Sequence, residues 1–178
     1  MFSKIVTILA TAAALGSAAP TKTTADIASR TEFTGVTHTV AVGRAGLNFE
    51  PNNIFAKVGD LVEFHYLPAN HSVVQASFEK PCVPQDEDSF FSGFFPVSQG
   101  QSDEVFQIVV EDTKPIWFYC SQGDHCSKGM VGSINQNVNS PKTLSAFREL
   151  ATNAGPGVSQ PYIQGGCRIP NPQPNAGI

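Results

Sequence analysis

The sequence predicts an all-β fold, a Greek-key β-sandwich with one peripheral helix near the C-terminus. Three observations carry this. Short runs of alternating apolar and polar residues recur between Gly, Pro and Asn turn signals, as sandwich strands do. Phe is abundant, with 13 against 2 Met, and aromatic side chains favour strands. A single segment has helical periodicity. At 178 residues, 41% hydrophobic and 15% charged, the chain has the length of one domain and enough apolar side chain for its core.

The elements follow in order. Residues 1–18 read as a secretory signal peptide, with Lys4 as its basic start, an apolar stretch over 5–15, and small Gly16-Ser17-Ala18 before the cut. Residues 19–35, rich in Thr, Ala and Ser, read as a linker or pro-segment. The folded domain is expected over 36–153. Its first run, 36–42, sets Val36, His38, Val40 and Val42 against Thr37, Thr39 and Ala41, and ends at Gly43 and Gly46. The run 53–58 meets a Gly59-Asp60 turn, and 61–66 then sets Leu61, Glu63 and His65 against Val62, Phe64 and Tyr66. Runs 71–76, 105–111, 116–120 and 130–135 complete the strands.

A helix is expected with Ser140 as N-cap, Pro141 at the first helical position, Leu144, Phe147, Leu150 and Ala151 on one face, and Gly155 as the stop. Residues 154–178 carry Gly, Pro, Asn and Gln and almost no apolar side chains, so a disordered tail is expected. That tail lacks the hydrophobic end of a GPI signal, and the expectation is a freely secreted, extracellular protein. Disulfides persist in that setting.

Composition removes several functions. A net charge of -4 opposes sequence-independent nucleic-acid binding, which needs clustered Lys and Arg. Beyond the N-terminal segment no apolar run approaches the ~20 residues of a membrane span.

Chemistry concentrates in 117–130. A strand ends at Cys120, and a glycine-containing loop returns His125 and Met130 to the same end of the fold. Thiolate, imidazole and thioether form a soft donor set that suits copper far better than calcium or magnesium. His71, just after the turn-like Leu67-Pro68-Ala69, supplies a second imidazole. Two imidazoles and a thiolate with a weak axial thioether describe a type 1 (blue) copper electron-transfer centre, which both oxidation states of copper tolerate. Phe94, Phe95, Phe118 and Tyr119 could keep water off the sulfur. Zinc is the chemical rival, since Cys and His suit it equally well, and Met130 counts against it. His38 and His65, in strand runs without ligand spacing, read as structural or surface residues.

Cys120, His125, Cys126 and Gly129-Met130, with Asn70-His71 upstream, resemble the cupredoxins, most of all the phytocyanins and secreted fungal cupredoxin-like proteins. The resemblance covers about 36–135. It implies a Greek-key sandwich holding one copper ion at His71, Cys120, His125 and Met130. It also implies a Cys82–Cys126 disulfide, an Asn70 amide bracing the cysteine loop near Ser121, and His125 as the ligand nearest the surface. Such a brace would block glycan attachment at the Asn70-His71-Ser72 sequon. Cys167 is then left over in the tail.

The resemblance and the ligand set point to a non-enzymatic one-electron carrier. The competing reading is copper sequestration, or a cell-surface or host-interaction module on the same scaffold. A multicopper oxidase would need His-X-His pairs, which are absent from a chain of four His. A copper-dependent monooxygenase would need an N-terminal His, and cleavage after Ala18 leaves Ala, Pro and Thr there. A monomer is expected. The acidic run Asp86-Glu87-Asp88 would steer a cationic redox partner, against the alternative of a merely solvated loop.

Overall fold

The alternating runs become strands where they can bury one face. The structure, a computed structural model, describes residues 35–175. The expected signal peptide, and the linker up to residue 34, lie outside the described residues. β1 (Thr37–Val42) runs parallel to β4 (Leu61–Tyr66), in register from Thr37 opposite Leu61 to Val42 opposite Tyr66. β8 (Glu104–Val109) pairs antiparallel with β4, β2 (Phe49–Glu50) with β1, and β11 (Cys167–Pro170) with β8. The five-stranded order is β11-β8-β4-β1-β2.

The facing sheet contains β3 (Asn53–Ile54), β10 (Val131–Ile134), β9 (Ile116–Tyr119) and β6 (Val74–Ala76), in that spatial order. A two-stranded ribbon joins β5 (Ala69–His71) to β7 (Phe95–Val97), with His71 opposite Phe95. The chain passes repeatedly from one sheet to the other, which is the Greek-key sandwich expected.

Between the sheets, Val62, Phe64 and Tyr66 of β4 are fully buried with Val40, Val42, Phe106, Phe118 and Ile134. The Phe118 ring meets Phe49 and Phe64 edge-on, with centroids 4.9 and 5.5 Å away. Such pairs add about 0.5–1.5 kcal/mol each beyond the area they bury. A second apolar cluster on the other side of β9 contains Trp117 and Tyr119 with Leu144, Phe147 and Ala151. β9 therefore has apolar neighbours on both faces, which accounts for its unbroken Ile-Trp-Phe-Tyr sequence.

Two expectations need correction. The helix, α1, spans Leu144–Thr152 and is capped by Thr143, whose hydroxyl accepts the Ala146 N–H at 3.3 Å. Ser140 instead closes a turn, accepting the Lys142 N–H at 2.9 Å. The buried face is Leu144, Phe147 and Ala151, and Leu150 is 42% exposed. The segment expected to be disordered is ordered through residue 175 and contributes β11 to the larger sheet. Its low apolar content misled because it docks by hydrogen bonds rather than by apolar burial. His65, read as a structural or surface residue, is structural: it is buried with Glu63, its Nε2 2.6 Å from Glu63 Oε1.

Asp60 ties the start of β1 to the turn before β4. Its carboxylate accepts the Val36 and Lys57 N–H groups, both at 2.9 Å, and lies 2.8 Å from His38 Nε2. The His38 hydrogen bond first, and the two backbone donors after it, hold its pKa at about 2, below the ordinary 3.8. A depressed carboxylate pKa contributes stability that is present above the ordinary value and lost as pH falls through the folded one. Asp60→Asn is expected to lower the denaturation midpoint at neutral pH. The deficit relative to wild type should shrink between pH 4 and pH 2, as urea titrations across that range would read out.

Candidate metal centre

Cys120 follows directly on β9, and its N–H donates to the Met130 carbonyl at 3.1 Å, continuing the β9–β10 ladder. The loop between them is wound by its own backbone. His125 N–H donates to Gln122 O at 3.0 Å, Gly129 N–H to Cys126 O at 2.8 Å, and Met130 N–H to His125 O at 2.9 Å. This winding brings His125 Nδ1 to 3.4 Å from Cys120 Sγ.

His71 arrives from the ribbon. Its Nε2 lies 3.3 Å from the Pro68 carbonyl, and its Nδ1 is 4.0 Å from Cys120 Sγ. Anchoring Nε2 on a carbonyl fixes the tautomer that leaves Nδ1 free to bind a metal. Gly43, at φ 88°, closes the other side of the imidazole: a Cβ there would overlap His71 Nε2. One donor atom from each of His71, Cys120 and His125 falls within 4.8 Å of the others, which makes this a candidate metal site.

Burial lowers the pKa of both imidazoles. The neighbouring His125 lowers His71 further, while Asp124 partly offsets the effect at His125. Burial pushes the Cys120 thiol up. Neutral imidazoles are the ligand form, and a buried thiol gives up its proton most readily to a cation that replaces it. His71 is buried and His125 half-buried, so the site opens towards solvent on the His125 side.

Met130 is fully buried in the cluster that holds Cys120, Phe95 and Phe118. Tyr119 faces the other cluster, and Phe94 is 38% exposed, so the apolar surround comes from Phe95 and Phe118. Asn70 braces the cysteine loop beside Ser121, as expected: its Nδ2 donates to Gln122 Oε1 at 2.8 Å. Ser72 adds a second brace, on Ser121 itself. Its hydroxyl accepts the Ser121 N–H at 2.9 Å, and its own N–H points at Cys120 Sγ from 3.4 Å. A shorter side chain placed two residues beyond Asn70 reaches where the amide does not. The signal for Ser72 was its place beside a candidate ligand His, inside a sequon of which only Asn70 was read as a brace.

Cys82 and Cys126 form a disulfide, which pins the segment after β6 to the residue following His125. Cys167 is exposed on β11 as a free thiol. Asp86, Glu87 and Asp88 lie exposed beyond Cys82. Asp86 Oδ1 accepts from Ser89 Oγ at 2.9 Å and from the Asp88 N–H at 3.1 Å, which holds the run in a turn.

No family model matches the chain. It is 38% identical over 127 residues to a probable GPI-anchored cupredoxin of Arthroderma benhamiae, covering 71% of this chain and 64% of that protein. It is also 38% identical over 97 residues to an extracellular serine-rich protein of the same organism, covering 54% and 38%. The chain thus spans less than two thirds of either relative's length. Among solved structures, a pseudoazurin of Sinorhizobium meliltoi is similar at 17% identity and a TM-score of 0.40, covering 66% of this chain and 95% of that one.

The disulfide restrains the metal loop and the fold together. Replacing both partners, Cys82→Ser with Cys126→Ser, is expected to lower the unfolding free energy by about 2–5 kcal/mol, measured as a fall in urea midpoint under non-reducing conditions.

Proposed function

Since the chain belongs to the cupredoxin family, we propose that it is an exported one-electron carrier. One type 1 copper ion would be held by His71, Cys120 and His125, with the Met130 thioether as a weaker fourth donor. The observation that carries this reading is the convergence of two imidazole nitrogens and one cysteine sulfur within 4.8 Å, beside buried Phe95 and Phe118. That donor set fits copper, which when bound supplies a one-electron couple.

The protein's part is to keep the donors still and dry. The wound loop, the disulfide and the Pro68 contact fix three donors from two segments, so little has to move when charge changes. Ser72 directs an N–H at the sulfur, which offsets the negative charge that gathers there. The partly exposed edge of His125 is the exit for an electron. The exposed acidic run 86–88 beyond the disulfide favours a cationic partner. Export agrees with the relatives' names, one GPI-anchored and one extracellular.

Adding Cu(II) to the metal-free protein should produce an intense visible thiolate-to-copper band at one equivalent, and Cys120→Ser should abolish it. A colourless wild type would overturn the reading. Met130→Gln should keep its copper while its reduction potential falls, because a thioether donor binds weakly and would tune the couple more than hold the ion. Loss of copper stoichiometry in that variant would make Met130 an essential ligand.

A further inference from the structure

The segment after α1 reaches back to the metal loop. Gly157 N–H donates to the Gly123 carbonyl at 2.7 Å, and Val158 N–H to the Cys82 carbonyl at 2.8 Å. The Tyr119 hydroxyl donates to the Val158 carbonyl at 2.5 Å. The approach is closer than a side chain allows: a Cβ on Gly157 would lie 2.6 Å from Ser121 Cα and 3.0 Å from its carbonyl carbon. This strap therefore touches the ligand loop and one half of the disulfide.

Ser159 extends the contact into the site. Its hydroxyl donates to Ser121 Oγ at 2.8 Å, and Ser121 Oγ lies 2.8 Å from Ser72 Oγ. Ser72 Oγ is in turn 3.9 Å from Cys120 Sγ, within reach for a weak hydrogen bond to sulfur. Each hydroxyl has one proton, so the directions are linked. With Ser159 donating to Ser121 and Ser121 to Ser72, the Ser72 proton is free to point at the sulfur. Ser72 and Ser121 are both buried, which shields the chain from competing water.

We propose that Ser159 is a positioning residue for the copper centre, acting through the Ser121–Ser72 hydroxyls on the Cys120 sulfur; the proposal rests on the copper reading above. Hydrogen bonds running in one sense polarise one another, by perhaps ~10–30% per bond. Reduction leaves more negative charge on the sulfur, so a polarised donor favours the reduced form. Removing the outermost hydroxyl should weaken that preference without touching a ligand.

Two readouts test this on the full chain, with Ser159→Ala as the probe and Ser159→Thr, which keeps the hydroxyl, as its control. In metal-free protein, amide hydrogen exchange at Ser121 should rise about three- to tenfold in Ser159→Ala and stay near wild type in Ser159→Thr, while the α1 amides remain unchanged in both. In copper-loaded protein, Ser159→Ala should lower the reduced-to-oxidised ratio at a fixed ambient potential by about threefold, close to 30 mV at 59 mV per decade. Ser159→Thr should hold the wild-type potential. Equal Ser121 exchange, or equal potentials, in wild type and Ser159→Ala would overturn the proposal. So would a Ser159→Thr variant that behaves like Ser159→Ala. If no variant develops a visible band, the copper reading fails instead, and exchange at Ser121 decides the relay by itself.

Discussion

The turn of chain between Cys120 and Met130 is the constraint on which the rest of the site depends. β9 and β10 are neighbours in one sheet, and the Cys120 N–H to Met130 carbonyl bond carries their ladder one step past the strands. The residues between must return within that width, so they wind, and the winding lifts His125 over the sulfur. The ligand spacing is thus a property of the hairpin. His71 can then arrive from another element and still find its partners in place.

The same loop is anchored on both faces of its sheet. Cys120 and Met130 belong to the core between the sheets, whereas Cys126 joins Trp117, Phe147 and Ala151 in the outer cluster. Residues six apart in sequence therefore bury on opposite sides of β9 and β10. The disulfide lies on the outer side, under α1, where it cannot compete with the ligand sulfur for position. Arg148 of α1 adds a hydrogen bond from its Nε to the Gly129 carbonyl at 3.3 Å. This gives the peripheral helix a bearing on the site as well as on the sheet edge.

Much of this was legible in the sequence, for physical reasons that also mark the limit. Alternation in 36–42 and 61–66 was readable because one face of each strand is apolar, and the candidate donors that meet in the structure, His71, Cys120 and His125, stood out by their chemistry. The helix start was displaced because Ser140-Pro141 and Thr143 offer similar capping chemistry, and only the tertiary turn chooses between them. His65 showed no ligand pattern, but its pairing with Glu63 on the same face needed three dimensions to see. The strap was missed altogether: its composition matches disorder, and nothing local marks Ser159 as a neighbour of Ser121.

That miss has an energetic explanation. Ordering a residue's backbone costs about 1–2 kcal/mol, and a typical hydrogen bond returns only about 0.5–1.5 kcal/mol net. A polar segment can therefore stay ordered only where its bonds are dense and some side chains pack. Gln160 Nε2 donates to the Asp86 carbonyl and Gln164 Nε2 to the Glu87 carbonyl, both at 2.5 Å, and Gln164 exchanges two backbone bonds with Phe91. Further along, β11 adds a ladder to β8, and the Arg168 guanidinium sits 3.9 Å from the centroid of the Phe95 ring, which stacks on Tyr66 at 3.7 Å. Such a cation–π contact contributes about 0.5–2 kcal/mol. The strap is thus held at both ends, by the metal loop near Gly157 and by the larger sheet at β11. It also carries the acidic run between them, so the order of that run, and any steering it does, depends on the same docked segment that reaches the sulfur.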